Sequence, residues 1–322
     1  MKKIIALLTL IILFCANVRA QYTDTVFQYF DNDWKQVEKT ERFVQFRIAL
    51  KLPDSTWHVK DYYARGRKLQ MEGIYLDDSF KVQDGKFYYY HYNGNVQKEC
   101  TYNKGKYVGL YRTYSHDGVL LDSTRYKSTG IPFHKSYSWD GKGNLRGYAE
   151  YDMEGKGTGY MTVWWQDSVV SEFGKYSEGH LQDSVWAYYH RNGQVSMTER
   201  FDAGKLLEYT CYDTKGNIMT DCDTAEHMPE PGYDVNTFLA KNIRMPYEAM
   251  EGGLAGQFRV MIGFVVDIDG KLTDFEIQNN TYEFFIKEAL RVVKMLPAWK
   301  PGIQHNRNVP TFYTLPINFK IG

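Results

Sequence analysis

The last quarter of the chain changes hydrophobic period twice. Across 258–266 every even position is apolar (Phe258, Val260, Ile262, Phe264, Val266), the period of a strand with one buried face. Asp269-Gly270 supplies a turn, and 272–277 returns as the second arm of a hairpin. The period then becomes helical. Phe285, Ile286, Ala289, Leu290, Val293 and Leu296 share one face, Asn280 and Glu283 make a capping pair, and Pro297 ends the helix. Alternation returns at 309–320, with Val309, Thr311, Tyr313, Leu315, Ile317 and Phe319 on a core side and Pro310, Phe312, Thr314, Pro316, Asn318 and Lys320 on a mostly wet one. Pro310 and Pro316 have the same parity, so both missing N–H groups fall on one flank, which a central strand does not tolerate. This strand is therefore expected at a sheet edge with its proline side outward. Between the prolines, Phe312 and Thr314 keep their backbone groups free. That arrangement suits either an edge blunted against aggregation or an edge to which an extended peptide adds.

Upstream, turns recur at Asn93-Gly94, Asp117-Gly118, Gly143-Asn144, Asn192-Gly193 and Gly216-Asn217, roughly every 25 residues or a multiple of it, the mark of an internal repeat. The stretch 166–168 fills the gap in this series without a glycine. A second series (Gly105, Gly130, Gly155, Gly179, Gly204) runs between them at the same spacing, so each unit is two turns and two short strands. Tyr102, Tyr126, Tyr151, Tyr176 and Phe201 each stand three residues before the second glycine, a fixed offset that predicts an aromatic ladder inside a repeat array. An earlier copy begins at 62–66. Before it, Trp34, Phe43, Phe46, Ile48, Leu50 and Trp57 can close the array's first end, and 223–232, with Pro229 and Pro231 among acids, reads as a linker.

Composition changes this picture at the N-terminus. Lys2 and Lys3, an apolar run over 4–14 and Val18-Arg19-Ala20 form a cleavable secretory signal. As a helix the run covers about 16 Å, short of the ~30 Å hydrocarbon core. Cys15 follows Leu13 and Phe14, where a lipoprotein signal wants small residues, so it goes with the discarded leader. Losing Lys2, Lys3 and Arg19 but no acid turns the balance of 39 bases and 39 acids slightly negative, which argues against nucleic acid as partner. Cys100, Cys211 and Cys222 remain, an odd number for an oxidising compartment. Cys211 and Cys222 flank the turn at Gly216, so they either bridge a hairpin or stand, with Cys100, as partly buried thiols.

No enzyme or cofactor is indicated. The eight histidines make no pair at ligand spacing, and no phosphate-binding loop, dinucleotide fingerprint or nucleophile elbow occurs. Asp267-Ile268-Asp269-Gly270 looks faintly like a calcium loop, but its glycine comes early and Gln278 stands where the closing Glu belongs.

Pro246 with Ala249, Gly256, DIDGK at 267–271, EALRVVKMLPAWKPG at 288–302 and LPINF at 315–319 resemble, block by block and in order, the C-terminal domain of the TonB family. The resemblance implies a small sheet with helices on one face that grasps an extended segment of an outer-membrane transporter by strand addition. Carried onto this sequence, that role falls on Arg244, Met245, Pro246 and Tyr247 and on Val309, Pro310, Thr311, Phe312, Tyr313, Thr314 and Leu315. Met245 stands where the family usually has Tyr, and Asn279, Asn280 and Thr281 replace an acidic-leucine step; both departures bear on partner choice. The repeats over 62–222 resemble MORN-type repeats, in the degenerate form of YwqK-type antitoxin proteins, which implies as alternatives a structural or lipid-contacting scaffold or an immunity-like binding protein. A proton-motor-driven transducer needs a membrane anchor and a long extended linker, and the exported chain is expected to have neither.

The expected fold is mainly β with a small α+β domain: a leader (1–20), a β-hairpin repeat array (21–222), a linker (223–236) and a TonB-like C-terminal domain (237–322). The expected setting is the periplasm or the outer membrane's surface. Export should yield a mature chain beginning at Gln21; intact-mass measurement finding Met1, or a lipid on Cys15, would overturn that reading.

Overall fold

Short alternating strands joined by turns at a fixed spacing pair most cheaply with their sequence neighbours, and the chain does this throughout its first two thirds. The computed structural model describes residues 24–321 except 32, 42, 166–167, 223 and 280. The expected leader with Cys15, the Gln21 terminus, Asn280 of the expected cap and Asp223 at the head of the linker lie outside the described residues.

Seventeen strands, β1 (Asp24–Phe30) to β17 (Ile218–Met219), form one antiparallel sheet. From β3 (Gln45–Lys51) onward each strand pairs with the next. The expected closing segment is the start of the same sheet, because β1 pairs with β3 along its whole length and with β2 (Gln36–Val37) on its other flank. Where 166–168 lacks the turn glycine, Ser168 takes the left-handed conformation itself (φ 66°) and the turn closes through Trp165 N–H to the Val169 carbonyl at 2.7 Å.

A single sheet buries its face only against its own neighbouring side chains, and large aromatics fill that role here. The ladder is interleaved rather than continuous. Tyr102 stacks on Tyr107 (4.8 Å), which meets Tyr126 (5.4 Å), whereas Tyr151 reaches Tyr176 directly (5.9 Å). The two runs are separated where β9 (Leu120–Tyr126) and β10 (Lys135–Trp139) pair over only two residues. One cluster gathers Trp57, Val59, Phe87, Cys100 and Tyr102; another gathers Trp186, Tyr188, Met197 and Cys211. Gly174 is required under the second, because the Trp186 indole occupies the space of a Cβ there. Cys211 and Cys222 form a disulfide, and Cys100 is a buried free thiol.

The C-terminal part is a three-stranded sheet in the order β19 (Leu272–Ile277), β18 (Gly256–Val266), β22 (Thr311–Ile321). Three helices, α1 (Val235–Asn242), α2 (Tyr247–Glu251) and α3 (Glu283–Val293), feed one core on one face. The even positions of β18 that alternation selected, Val260, Ile262, Phe264 and Val266, are buried against Phe285, Ala289, Val292 and Val293 of α3, each such burial contributing roughly 1.5–3 kcal/mol. Leu239, Ala249, Leu296, Trp299, Ile317 and Phe319 complete the core. Asp267 carries the hairpin turn as expected, accepting the N–H groups of Asp269 (2.9 Å) and Lys271 (2.8 Å). Gly270 follows at φ 83° with the Trp299 carbonyl where a Cβ would stand, so no other residue fits. Asp140 and Asp213 of the array accept from the residues two and four places on in the same way.

Three local expectations are corrected. Helix α3 starts after Tyr282 with no side-chain cap, and Glu283 pairs with Lys287 (2.9 Å) one turn on instead of reaching back. The helix ends at Val293, with Leu296 carried in a following turn by its bond to the Val293 carbonyl, four residues before Pro297 would stop it. Val309 is not the first residue of the last strand: it closes β21 (Arg307–Val309), which pairs with β20 (Gly302–Gln304), and Pro310 breaks the chain before β22.

The apolar clusters of the array and of the C-terminal sheet share no residue, and we propose that the two fold as separate units. A fragment covering 233–322 should give dispersed amide resonances and a cooperative melt; a collapsed, non-cooperative fragment would refute the division.

Candidate partner-binding edge and the hairpin that positions it

Strand β22 lies at the outer edge of its sheet, paired only with β18 among the described strands. Which flank of each residue faces outward follows from Met261, the partner of Pro316. Met261 spends both backbone groups on the other side, its N–H donating to Asn279 Oδ1 (2.7 Å) and its carbonyl accepting from Gln278 N–H (2.9 Å). Pro316 therefore occupies a non-hydrogen-bonded pair, with its ring nitrogen turned away from β18. Two-residue alternation puts the backbone groups of Thr314 and Phe312 on that same open flank. The Phe312 ring, 47% exposed, lies over Gly263 on the face opposite the helices. Thr311, Tyr313 and Leu315 turn their side chains toward the core face, Tyr313 meeting Trp299 at 5.0 Å and Phe264 at 5.8 Å.

The second group of expected residues sits elsewhere. Arg244 N–H donates to Glu288 Oε1 (2.6 Å), and Arg291 of α3 reaches the Asn242 carbonyl (2.7 Å). Met245 packs on the core, Pro246 starts α2, and Tyr247 is exposed with its hydroxyl on Glu251 (2.7 Å). Among the described residues no hydrogen bond or ring contact joins 244–247 to 309–315; the first group is tied to α3 and the second to β18.

The most polar buried site is one that pattern reading missed. The β20–β21 turn, His305-Asn306 with both φ positive (50° and 58°), enters the second half of the array. The His305 ring stacks on Tyr188 at 3.5 Å and 8°. Asn306 Nδ2 donates to the carbonyls of Tyr212 (3.1 Å) and Ser196 (3.4 Å), and Ser196 Oγ donates to the His305 carbonyl (3.1 Å). Arg307, 6% exposed, donates to Ser171 Oγ (3.3 Å), lies 3.9 Å from Glu172 and faces the rings of Tyr188 (5.2 Å) and Trp165 (5.4 Å). Its Nε and Nη1 and the His305 Nδ1 are buried without a protein partner. The segment read as a linker runs beside this hairpin: His227 exchanges both backbone bonds with Ile303, and Glu230 does so with Lys300. Three residues after Arg307 the chain reaches Pro310 and the open edge, so the dock fixes where that edge begins.

Burial displaces Arg307, Glu172, Glu199 and His305 toward neutrality. Desolvation lowers Arg307 to about 10 against the pull of Glu172, and it raises the Glu172 and Glu199 carboxyls. His305 is pushed from 6.5 down to about 4, first by desolvation and then by Arg307, with Glu226 opposing.

Residues 241–321 match the family model described as Gram-negative bacterial TonB protein C-terminal, so the helix-covered sheet that carries the edge is similar to that family's domain. No curated protein matches the chain. Among solved structures, SGBP-B of the Bacteroides ovatus mixed-linkage glucan utilization locus, in complex with mixed-linkage heptasaccharide, aligns over 94% of this chain and 90% of that one at 10% identity. Its TM-score of 0.10 carries no argument about fold or ligand.

The docked state excludes a proton from His305 that the released ring takes up near 6.5. Docking should thus be complete above about pH 6.5 and weaken as the pH falls toward 4, while Glu172 and Glu199, whose carboxyls are raised, oppose this at the acid end. Amide exchange at 302–309, followed from pH 7.5 to 5, should accelerate in the native chain and stay flatter in His305→Phe, which keeps the stacked ring but cannot ionise. Equal profiles would show that His305 does not set the dependence.

Proposed function

We propose that this chain is a non-enzymatic cell-envelope protein that binds an extended segment of a protein partner by strand addition to β22. The partner is of the outer-membrane transporter kind, which links the protein to TonB-dependent transport. The observation that carries this reading is the open flank of β22, where Phe312 and Thr314 turn unpaired backbone groups outward between Pro310, which precedes the strand, and the closed position Pro316. The match of 241–321 to the TonB C-terminal family supports an envelope setting and a protein partner. No helix among the described residues is long and apolar enough to cross a membrane, and the reading places the protein in the periplasm or on the outer membrane's surface.

A second reading, a repeat scaffold that uses the C-terminal domain for assembly, draws on the dock at Arg307, which gives the array a holding role whatever binds the edge.

Thr314→Pro separates the two. It deletes one outward N–H and sets a ring on the open flank while leaving the core-facing odd residues in place; a lost backbone bond is worth about 0.5–1.5 kcal/mol, with steric blocking in addition. Peptides of twelve residues selected on the full chain from a random displayed library serve as probes. The variant should melt near the native temperature and bind these peptides at least severalfold more weakly. Unchanged affinity with an intact fold would mean that this edge is only protected, and the scaffold reading would replace the first.

A further inference from the structure

The C-terminal domain and the array grip each other at two separated places. At one, the Arg65 guanidinium lies 3.7 Å over the Tyr282 ring ahead of α3. At the other, the 305–307 tip enters the array near Tyr188 and Ser196. Between these grips the two surfaces form the walls of a cleft of about 780 Å³, within the size range of pockets that bury a ligand. One wall is the array's rim, with Tyr89, His91, Tyr114 and His116; the other is the open face of the small sheet, with Glu276 and Phe312.

The array wall is fixed before anything binds. The Tyr114 hydroxyl donates to Glu99 (2.7 Å), the His91 ring is bonded to the Tyr114 carbonyl (2.9 Å) and stands 5.6 Å from that of His116, and Lys98 sits 3.8 Å over Tyr89. Such held rings take apolar or aromatic side chains at low entropic cost. Lys98 is already engaged by its aromatic neighbour, whereas the Glu276 carboxylate on the facing wall has only the Gln278 side-chain amide as a described partner. Asp274 stands on the same wall, so a cationic group on the ligand would complement that side of the cleft, while Lys98, Lys142 and Arg146 line the array side. The cleft also begins where the edge does, since Phe312 belongs to both and Pro310, which lines the cleft, immediately precedes the strand.

We propose that this cleft is the second half of the partner site: the extended peptide that adds to β22 at Phe312 and Thr314 continues past Pro310 into the cleft. There the array reads its flank, preferring a basic residue facing Glu276 beside an aromatic or apolar residue against Tyr89 and Tyr114. This rests on the strand-addition reading and extends it. The array becomes a specificity element, and affinity for a partner depends on residues far in sequence from the C-terminal domain.

The test uses the full chain and the same random twelve-residue displayed library. Peptides enriched on the native protein should carry Lys or Arg to one side of an alternating apolar core. Gln97→Trp, which fills the cleft from an exposed strand position of the array, and Glu276→Lys, which reverses the charge of the other wall, should each weaken the enriched peptides by roughly fivefold or more, on the scale of an interface anchor. Selection on Glu276→Lys should also lose the basic preference, a change that general destabilisation would not produce. Melting curves of both variants confirm the fold, and because the two changes lie on opposite walls, misfolding of one leaves the other decisive. If Thr314→Pro abolishes binding while both cleft variants bind within about twofold of native, with no basic preference in the native selection, strand addition stands and the cleft proposal falls. If Thr314→Pro binds as well as native, or no peptide is enriched over an unrelated control, strand addition itself falls and takes this extension with it.

Discussion

Arg307 is the hinge of the whole arrangement. The array and the C-terminal sheet have separate cores, so their mutual placement depends on local contacts, the most extensive being a hairpin tip whose guanidinium is taken out of water between Trp165 and Tyr188. That is a costly way to join two bodies. Glu172 stands 3.9 Å away, too far for a tight ion pair, and two of the guanidinium nitrogens have no protein partner. Residues of similar volume but apolar character would hold as well or better, and a buried charge is more demanding of position than a methyl group. The interaction is better understood as setting register than as adding stability: only one seating of the tip brings Arg307 to Ser171, Asn306 to the Tyr212 and Ser196 carbonyls, and the His305 ring onto Tyr188 together.

The array can offer such a seat because it is one sheet thick. Among the described residues no second sheet is stacked on it, and it relies on large rings lying over their neighbours, as Trp186 does over Gly174 and Phe87 over Gly73. Surfaces built this way remain aromatic and only partly covered. They are suited both to receive the tip at one end and to line an open cleft further along.

Much of the C-terminal domain was legible because its elements obey one rule each. The alternation of β18, the Asp267 turn and the buried stripe of α3 follow from local sequence. Parity carries unchanged through Pro310, so alternation alone cannot show that Val309 belongs to a separate strand. The β20–β21 turn has no glycine to mark it; His305 and Asn306 both adopt positive φ, a region that Asn and His enter more readily than most side chains. The dock itself leaves no periodic trace, since Ser171 and Arg307 are 136 residues apart. The prolines and acids of 223–232 suit a linker, and local sequence has no sign that His227 and Glu230 bridge to Ile303 and Lys300.

The disulfide between Cys211 and Cys222 acquires a mechanical meaning from its place in this layout. It joins the penultimate strand of the array, β16 (Lys205–Tyr212), to the chain just as it leaves for the C-terminal domain. The last strand, β17, is only two residues long and held by a two-residue register. Any tension applied to the chain beyond Cys222 would pass through a covalent bond into the body of the sheet, and the two-residue terminal strand would be left out of the path.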